Sequence, residues 1–584
     1  MLFYDFEVFK EDWLVVVIDM TKKKEYVIIN DPDELEKIHK ETINEIWVGF
    51  NSRHYDQYIL KGILCGFEPK KINDYIILKG NPGWKFSSLL RNVKLINYDV
   101  MTGIDRGLKT FEGFMGNDIK ESSVPFDIDR KLTKEELDET VKYCRHDVEQ
   151  TVEVFVERKD DFEAHMGLVK LACKGKPLDL FLLSKTKVQL SSIILDAVKK
   201  DRNDEFDIDF PQTMKVEKYR SVVDWYMNPE NRKYNEDPNN PKSKKMQCNI
   251  MVAGVPHVFA WGGVHGAINK YHGEGYFLNM DVASLYPSLM IQYNLGSRNM
   301  KDPKKYEEIY HTRLKFKAEK NPLQLPLKLV LNGTYGAMKD KNNQLFDPRQ
   351  ANMVCVYGQL LLLDLVEKLE PHCQIIQSNT DGVLIKMNKY EDYELIDDIC
   401  YEWEQRTHLV LEFDEFKRVF QKDVNNYVIV PHGKLYNEKG EPLWKSKGGY
   451  VKKLGNLDYD LPIVNKALID YMVKDIPVEQ TVNECNDLKE FQQVKKISSK
   501  YTHILHGDKI VKEKCIRIFA SNDPDDAGVQ KLHAETGRPA KLESSPESCF
   551  IFNDEVNGVK VSSKLNKQWY IDMAKKRLTD FGVE

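Results

Sequence analysis

The stretch Met280–Met290 reads MDVASLYPSLM and completes the apolar run YFLNMD at 276–281. A short apolar run of this kind predicts a buried strand, which puts Asp281 at the end of the strand and Ser284-Leu285-Tyr286 in the turn that follows. Carboxylate oxygens are the ligands that hard divalent cations prefer. The stretch therefore indicates a sheet with a metal-binding end, which a second acid from a neighbouring strand would complete.

The second acid lies in SNTDGVLI at 378–385, where two β-prone runs flank a polar turn. This pattern predicts a tight hairpin with Asp381 at its tip. Between the two stretches, the sequence of residues 303–337 predicts two helices. Their connection is so short that they should be antiparallel neighbours. The second helix presents, along one broad face, Lys328, Asn332 and Tyr335.

The first 190 residues alternate strand-like runs with helical stretches, which indicates an α/β domain. Asp5 and Glu7 alternate on one strand, so both side chains project from the same face. Tyr143 and Asp147 are four residues apart on a predicted helix and also share a face. Together with Asp56, these acids would repel one another unless they share divalent cations. Two such ions about 4 Å apart activate a water in phosphodiester hydrolysis.

The composition is that of an ordinary soluble protein, with 42% hydrophobic and 30% charged residues. The net charge of −6 means that any groove for nucleic acid must be local. Ten cysteines without a CxxC pair argue against a zinc ribbon or a disulfide framework and fit a reducing cytosol. Acids within the first apolar run exclude a signal peptide, and no apolar run is long enough to span a bilayer. We expect a cytoplasmic protein, in the host cytoplasm if the chain is viral, without a membrane partner.

The motifs around Asp281, at 328–336 and around Asp381 resemble motifs A, B and C of B-family DNA polymerases. The resemblance implies a right-hand fold of palm, fingers and thumb, and nucleotidyl transfer with two Mg²⁺ or Mn²⁺ ions on Asp281 and Asp381. It also implies that Tyr286 stacks under the sugar and excludes a 2′-hydroxyl. The nucleotide-binding residues that we expect are Ser284, Leu285, Tyr286, Lys328, Asn332 and Tyr335, with Arg313 and Lys317 on the partner helix and Lys315 there as an alternative.

The acids of the first domain resemble the Exo I, Exo II and Exo III motifs of proofreading 3′→5′ exonucleases, and Asn51 with Tyr55-Asp56 matches the second motif. The resemblance implies an RNase H-like exonuclease domain of the DEDDy type, with two divalent ions and with Tyr143 holding the attacking water. The segment 107–116 looks loosely like the substrate-strand segment of the family. The metal ligands implied are Asp5, Glu7, Asp56 and Asp147.

Asn379 departs from the family pattern, because motif C usually reads Asp-Thr-Asp. An amide can accept a hydrogen bond or coordinate through oxygen, but it brings no charge. If Asp381 is the obligate ligand, the polymerase site is live, and Glu412 and Asp414 could replace part of the lost charge. The alternative is an exonuclease with an inactive polymerase half. A third hypothesis is a single-strand-binding scaffold in which both sets of acids are idle.

The fold class that we expect is α/β plus α+β in several domains. The expected ranges are an exonuclease domain at 1–190, a connecting segment at 191–250 with an exposed loop at 228–247, a palm at 251–302 and 338–430, fingers at 303–337, and a thumb-like C-terminal region at 431–584. DNA contacts are expected at Gly262, Gly263, Lys422, Tyr427, Lys445, Lys447, Gly448 and Gly449.

The expected ligands are primer–template DNA, a single-stranded 3′ end and dNTPs, and the candidate protein partners are a clamp, a single-strand-binding protein and a helicase. Asp281 and Lys328 lie only 47 positions apart. That interval leaves no room for the insertions that protein-primed members of the family carry between motifs A and B. We therefore expect DNA- or RNA-primed synthesis by a compact enzyme of bacteriophage or mobile-element type.

Overall fold

The computed structural model describes residues 1–101, 103 and 106–583. These residues form two compact units, each assembled from segments that are far apart in the sequence. The first unit comprises 1–186, 454–462 and 485–570, and the second comprises 187–453, 463–484 and 571–584. Each unit contains helices and its own sheets, so the expectation of a mixed α/β protein with several domains is confirmed at this level.

The strands in chain order are β1 Leu2–Val8, β2 Trp13–Asp19, β3 Lys24–Ile29, β4 Ile46–Gly49, β5 Ile96–Asp99, β6 Gln247–Val252, β7 Val255–Ala260, β8 His265–Ala267, β9 Tyr271–Val282, β10 Gln374–Ser378, β11 Gly382–Met387, β12 Leu411–Asp423, β13 Asn426–Pro431, β14 Lys445–Lys447, β15 Gln493–Lys496, β16 Tyr501–His506, β17 Lys509–Val511, β18 Cys515–Ala520, β19 Val529–His533, β20 Pro539–Lys541 and β21 Cys549–Ile551.

The α-helices in chain order are α1 Pro32–Glu41, α2 Asp56–Leu64, α3 Pro69–Asn73, α4 Leu108–Met115, α5 Lys134–Glu157, α6 Lys159–Ala172, α7 Lys187–Ile194, α8 Arg220–Met227, α9 Leu285–Gln292, α10 Lys304–Ala318, α11 Gln324–Lys339, α12 Pro348–Leu369, α13 Tyr393–Thr407, α14 Pro462–Lys474, α15 Val478–Glu484 and α16 Lys567–Asp580. Within the described residues, none of these helices is both long enough and apolar enough to cross a bilayer.

The first unit is built on a five-stranded sheet with the order β3-β2-β1-β4-β5. β1 lies at its centre, antiparallel to β2 and parallel to β4. The strand-like runs expected in this part of the sequence form β2 to β5, and the long expected helix forms α5. Thr133 and Glu136 cap α5 reciprocally, which fixes where the helix begins and hence which residues face the sheet.

The second unit is built on a nine-stranded antiparallel sheet with the order β14-β13-β12-β9-β11-β10-β8-β7-β6. β9 is twelve residues long and pairs with β11 on one side and β12 on the other. The hairpin expected at 378–385 is confirmed as β10, a turn at 379–381, and β11. In this register Asp281 of β9 stands opposite both Gly382 of β11 and Glu412 of β12.

The helical hairpin expected at 303–337 is confirmed as α10 and α11. The two helices are joined by a short connection at 319–323, and the hydroxyl of Tyr306, early in α10, donates to the carbonyl of Leu331, in the middle of α11, at 3.0 Å. Pro326 lies in the first turn of α11, where its missing N–H costs no helical hydrogen bond. The range 228–247 is a largely exposed loop, as expected, with one short helical turn at 229–231.

The range 431–584, expected as one thumb-like region, is divided between the two units. Its strands β15, β18 and β21 form a three-stranded sheet in the first unit, and β16, β17, β19 and β20 form a four-stranded sheet there. β15 and β18 contact α4, which lies nearly 400 residues earlier in the chain. Contacts over such a separation leave no local pattern in the sequence.

Arg517 of β18 holds this long-range contact. Its side chain is fully buried, and its guanidinium donates to Gln492 Oε1 at 3.1 Å and to the carbonyl of Asp554 at 2.7 Å. It also donates to the carbonyls of Gly113 at 3.1 Å and Asn117 at 2.7 Å, at the end of α4. Burial lowers the pKa of Arg517 to about 10, so the group is still charged at neutral pH.

Replacement of Arg517 with Met should lower the free energy of unfolding by about 3 kcal/mol, because several buried carbonyls lose their donor at once. Urea unfolding followed by circular dichroism measures this change. Arg538→Met is the matched control, since Arg538 is exposed in the same unit, and it should change stability by no more than about 0.5 kcal/mol. Equal unfolding midpoints for the two variants would exclude a structural role for Arg517.

Candidate active sites

The first unit contains a buried carboxylate cluster to which three elements contribute. β1 supplies Asp5 and Glu7, α2 begins with Asp56, and α5 supplies Asp147. The Asp56 carboxylate accepts the backbone N–H of Phe6, between the two β1 acids, at 3.2 Å. All four acids nominated from the sequence are thus brought together, and a carboxylate cluster of this kind fits hard divalent cations.

Cys144 adds a thiol to this cluster. Its Sγ donates to the backbone carbonyl of Asp5 at 3.3 Å, and the ligand atoms of Asp5, Glu7 and Cys144 lie within 4.8 Å of one another. Cys144 precedes Asp147 by three residues on α5 and is fully buried. Burial and the neighbouring acids raise its pKa, so the thiol stays protonated.

The pKa values of all four acids are raised, first by burial. The pKa of Asp56 rises to about 7 and that of Asp147 to about 6. Repulsion by the neighbouring carboxylates adds to the effect at Asp5 and Glu7, whose pKa values lie well above the ordinary range. Without bound cations the cluster therefore retains protons close to neutral pH.

Lys109 of α4 is the residue of this site that the sequence reasoning did not name. Its Nζ pairs with Asp147 and with Glu112 Oε1 at 3.1 Å, and it lies 4.5 Å from the ring centroid of Tyr143. Burial alone would lower its pKa, but Asp147 and Glu112 outweigh burial and raise it. Lys109 lies in the segment 107–116. The loose resemblance of this segment to the substrate-strand segment of the family is the feature of the sequence that points to Lys109.

Tyr143 and Asp99 have different surroundings. Burial, followed by repulsion from Asp147 and Glu7, raises the pKa of Tyr143, so its phenol remains a hydrogen-bond donor at neutral pH. The carboxylate of Asp99 accepts the backbone N–H groups of Asn51 at 2.9 Å and Arg53 at 3.0 Å. Asp99 thereby holds the loop that leads into α2.

The second unit contains a more open carboxylate cluster on β9, β11 and β12. The Asp281 carboxylate accepts Asn279 Nδ2 at 2.7 Å and lies 3.7 Å from Lys445 Nζ of β14. Lys445 also pairs with Asp414 of β12. The backbone carbonyl of Asp381 accepts the N–H of Val282 at 2.7 Å, which brings the hairpin tip beside Asp281.

Burial raises the pKa of Asp281, Lys445 opposes that rise, and Asp381 adds to it. The amine of Lys445 thus lies between the carboxylates of Asp281 and Asp414. The same position would suit a hard divalent cation, because its neighbours are carboxylate oxygens. Glu412 faces the same side of the sheet as Asp281, because paired residues on neighbouring strands project together.

Gly382 allows the two strands to approach at this point. A Cβ atom there would lie 2.1 Å from Asp281 Oδ1 and 2.9 Å from the carbonyl of Met280. Any side chain would therefore displace the Asp281 carboxylate or the backbone of β9. The sequence predicts that this glycine lies in the hairpin. Its closeness to Asp281 follows from the register of β9 and β11, which the structure provides.

Asn379 supports the turn of the same hairpin. Its side-chain Oδ1 accepts the N–H of Thr380 at 2.8 Å, and its own N–H donates to the carbonyl of Gly382 at 2.8 Å. A carboxylate could accept the same hydrogen bond, so the turn itself does not require an amide.

The expected nucleotide-binding residues fall into two groups. Tyr286 and Tyr335 have ring centroids 4.4 Å apart, and Arg313 Nη1 donates to Ser284 Oγ at 3.2 Å. Ser284 adopts φ of 50° in the turn from β9 to α9, a conformation that non-glycine residues adopt mostly at special sites. Leu285 is buried at the start of α9. Of the residues expected to bind the nucleotide from the helical hairpin, Lys317, Lys328 and Asn332 are exposed.

The expected DNA-binding residues are also divided. Tyr427 lies near the cluster. Burial raises its pKa to about 12, and the negative charges of Asp281 and Asp381 add to the rise. Its strand β13 pairs with β14, where Tyr427 stands opposite Lys447. Lys422 instead lies 4.7 Å from the ring centroid of Tyr450 and 3.8 Å from Asp580.

Glycines near the second cluster are packed closely. A Cβ on Gly263 would lie 2.5 Å from Thr380 Oγ1, so this glycine contacts the hairpin turn, while Gly262 accepts a hydrogen bond from Gln359 at 2.6 Å. Gly448 has φ of 104° and meets Asn426, and Gly449 accepts a hydrogen bond from Asn465 at 2.9 Å.

The raised pKa values of the first cluster predict that, in EDTA, the protein loses stability as the pH rises. An acid whose pKa is raised on folding stabilises the native state fully below its ordinary pKa of about 4, and this contribution is lost as the pH passes its folded value. The contribution of Asp147 is therefore lost as the pH rises through about 6, and that of Asp56 as the pH rises through about 7. The melting temperature in EDTA should fall between pH 5 and pH 8, and Mg²⁺ should raise it again at pH 8.

Asp56→Asn should flatten this pH dependence, because the amide carries no charge to bury. Asp127→Asn is the matched control, as Asp127 is an exposed acid of the same unit, and it should leave the slope unchanged. A melting temperature that rises with pH over this window would contradict the burial of repelling acids.

Comparison with known proteins gives likeness to solved structures at low sequence identity. No family model and no curated protein matches the chain. Among solved structures, it is similar to the family B DNA polymerase of the hyperthermophilic archaeon Pyrobaculum calidifontis, with 14% identity, 100% of this chain and 78% of that chain covered, and a TM-score of 0.40. A likeness of this degree is too distant to assign a role to any residue.

Proposed function

We propose that this chain is a template-directed DNA polymerase that also carries a 3′→5′ exonuclease. The observation that supports the proposal most is the presence of two separate carboxylate clusters in two compact units. Each cluster consists of the acids that the order of the sequence motifs nominated for it. The proposed ligands are primer–template DNA, a single-stranded 3′ end and dNTPs.

Both donor sets are rich in carboxylate oxygen and fit Mg²⁺ or Mn²⁺. The residues that would hold the ions are Asp281 and Asp381 in the second unit, and Asp5, Glu7, Asp56 and Asp147 in the first. When bound, a pair of divalent cations activates the attacking oxygen and stabilises the leaving oxygen of phosphoryl transfer.

In the proposed polymerase site, the protein's own residues bind and orient the nucleotide. The rings of Tyr286 and Tyr335, in contact at an interplanar angle of 44°, offer an aromatic wall for the sugar and base. Lys317 and Lys328 are exposed ammonium groups on the helical hairpin, suited to the triphosphate. Arg313 keeps Ser284 in its turn through their hydrogen bond.

In the proposed exonuclease site, Tyr143 and Lys109 act beside the acids. The protonated phenol of Tyr143 can donate a hydrogen bond to a water and orient it. Lys109 neutralises part of the charge of Asp147 and lies under the Tyr143 ring. Lys109 therefore positions both residues.

A competing hypothesis, favoured by Asn379, is an exonuclease whose polymerase half is inactive. A primer-extension assay with Mg²⁺ on a labelled primer–template separates the two. Extension with dNTPs and shortening without them would support the full proposal, whereas shortening under both conditions would support the alternative. Absence of both activities would favour the scaffold hypothesis. Bacteriophage or mobile-element origin, DNA- or RNA-primed initiation and the clamp, single-strand-binding and helicase partners stay predictions.

Variants of the two clusters should have reciprocal effects in this assay. Asp5→Ala combined with Glu7→Ala should reduce shortening by at least about a thousandfold, as loss of metal-held charge stabilisation does, and leave extension intact. Asp281→Ala or Asp381→Ala should abolish extension and leave shortening intact. Extension that survives Asp381→Ala would remove Asp381 from the polymerase site.

Asn379→Asp tests the missing motif C acid. The aspartate keeps the acceptor for Thr380, so the hairpin should persist, and the added charge should lower the Mg²⁺ concentration needed for half-maximal extension a few-fold. A Mg²⁺ titration of the extension rate measures this change, with Asn425→Asp as the control because Asn425 also lies in a turn of the same sheet. Extension that appears only in Asn379→Asp would establish the inactive-polymerase alternative.

A further inference from the structure

The first unit exposes an apolar surface that neither candidate site uses. Four large side chains lie within a short stretch: Ile77 is 60% exposed, Leu78 73%, Trp84 52% and Leu89 50%. Trp84 and Leu89 lie on two short helical turns that contact each other, at 83–85 and 88–92. We call these two residues together with Lys85 the Trp84 surface. Exposed tryptophan is uncommon on a protein surface unless it contacts a partner.

The charge around the Trp84 surface is strongly positive, although the chain as a whole is negative. Between residues 70 and 94 there is one acid, Asp74, which pairs with Lys70, and Glu68 just before this range pairs with Lys71. Among the described residues, no carboxylate lies within ion-pair distance of Lys85 or Arg91. The basic residues of this stretch are Lys70, Lys71, Lys79, Lys85, Arg91 and Lys94.

The stretch is anchored from beneath, so the surface is preorganised. The Phe86 ring packs edge-on against Phe67 and Tyr75, with centroids 5.4 Å away in both cases. Gly83 lies flat on Tyr58, because a Cβ there would be 2.3 Å from the Tyr58 ring. Lys85 Nζ lies 5.2 Å from the Trp84 ring centroid, beside the exposed indole.

This anchoring also places the surface next to the helix that carries Asp56. Tyr58 belongs to the first turn of α2, two residues after Asp56. Tyr55, the residue before α2, donates from its hydroxyl to Asn73 Oδ1 at 2.7 Å, just ahead of the exposed stretch. The Trp84 surface therefore lies by the N-terminal end of α2, from which the Asp56 side chain projects on a different face.

The combination of an exposed indole with unpaired cations favours single-stranded nucleic acid over a protein partner. Unpaired bases stack on aromatic rings whatever their sequence, while Lys and Arg contact the phosphates. A duplex keeps its bases stacked internally and cannot use the indole in this way. A protein partner would need an acidic surface of its own to match this charge, whereas every single strand carries a phosphate at each nucleotide.

We propose that the Trp84 surface is a binding subsite for single-stranded DNA, at which bases stack on Trp84 and phosphates contact Lys85 and Arg91. The direction of the strand, with its 3′ end at the acids, rests on the exonuclease function proposed above. Binding at the subsite does not require catalysis, so the two can fail separately.

Fluorescence anisotropy of a labelled single-stranded oligodeoxynucleotide with the full chain in EDTA tests the subsite. Trp84→Ala should raise Kd about tenfold, the loss expected for one stacked base, and Trp84→Phe should restore most of the affinity. Lys85→Ala combined with Arg91→Ala should reduce the slope of log Kd against log salt by about 1.4, because two phosphate contacts are lost.

Phe181→Ala is the matched control, since Phe181 is an aromatic residue of the same unit that is 38% exposed outside this surface. It should leave Kd unchanged, and thermal melting should show that every variant folds. An unchanged Kd in Trp84→Ala, or no binding of the oligonucleotide by the unmodified chain, would overturn the subsite.

An assay of the shortening of the same oligonucleotide in Mg²⁺ tests the exonuclease proposal separately from binding at the subsite. If both hold, Trp84→Ala should raise KM for a long oligonucleotide about tenfold and leave kcat unchanged. A tenfold loss of binding in a chain that never shortens DNA would support the subsite and refute the exonuclease.

Discussion

Repulsion between like charges in a confined space is the constraint on which both candidate sites depend. Two carboxylates 4 Å apart repel by about 4 kcal/mol at the effective dielectric constant near a protein surface. The first unit gathers four such groups, and the second gathers Asp281, Asp381 and Asp414 with Glu412 on the same face. In each unit a lysine from a different element, Lys109 of α4 or Lys445 of β14, contacts the acids and offsets part of this cost.

The two lysines show how a cluster of acids can be kept folded before a cation arrives. Lys109 lies in a buried site, where an unpaired ammonium would be expensive, so its pairing with Asp147 and Glu112 is obligatory. Lys445 is half exposed, so its ion pairs are weaker and can be exchanged for a bound ion more readily. The first cluster is therefore held as a fixed network, and the second as a site open to exchange.

Much of this arrangement could be predicted from the sequence, because it follows from short-range periodicity. Asp5 and Glu7 share a face because strands repeat every two residues, and Tyr143 and Asp147 because helices repeat every 3.6. The hairpin at Asp381 and the helical pair α10–α11 follow from local turn and breaker residues. The position of each predicted acid is fixed by its own element, whereas the motif resemblance is what led us to expect the acids of β1, α2 and α5 in one site.

The remaining features could not be predicted, because they depend on which elements become neighbours. Lys109 reads as an ordinary surface lysine until α4 packs against α5, and Gly382 reads as a turn glycine until its register with Asp281 is known. Trp84 was not singled out either, since exposure is a property of the folded surface. The division of 431–584 reflects contacts such as those of Arg517, whose partners Gly113 and Asn117 are 404 and 400 residues away.

The contact between Arg517 and α4 has a consequence during synthesis on the ribosome. The first unit cannot be completed when residue 186 emerges, because the segment that carries β15 and β18 begins at Cys485, roughly 300 residues later. At elongation rates of about 5–20 residues per second, that interval lasts tens of seconds. Throughout it, the face of α4 that later packs on β15 and β18 has no cover, so the nascent chain exposes the apolar side chains of this face until both strands have been made.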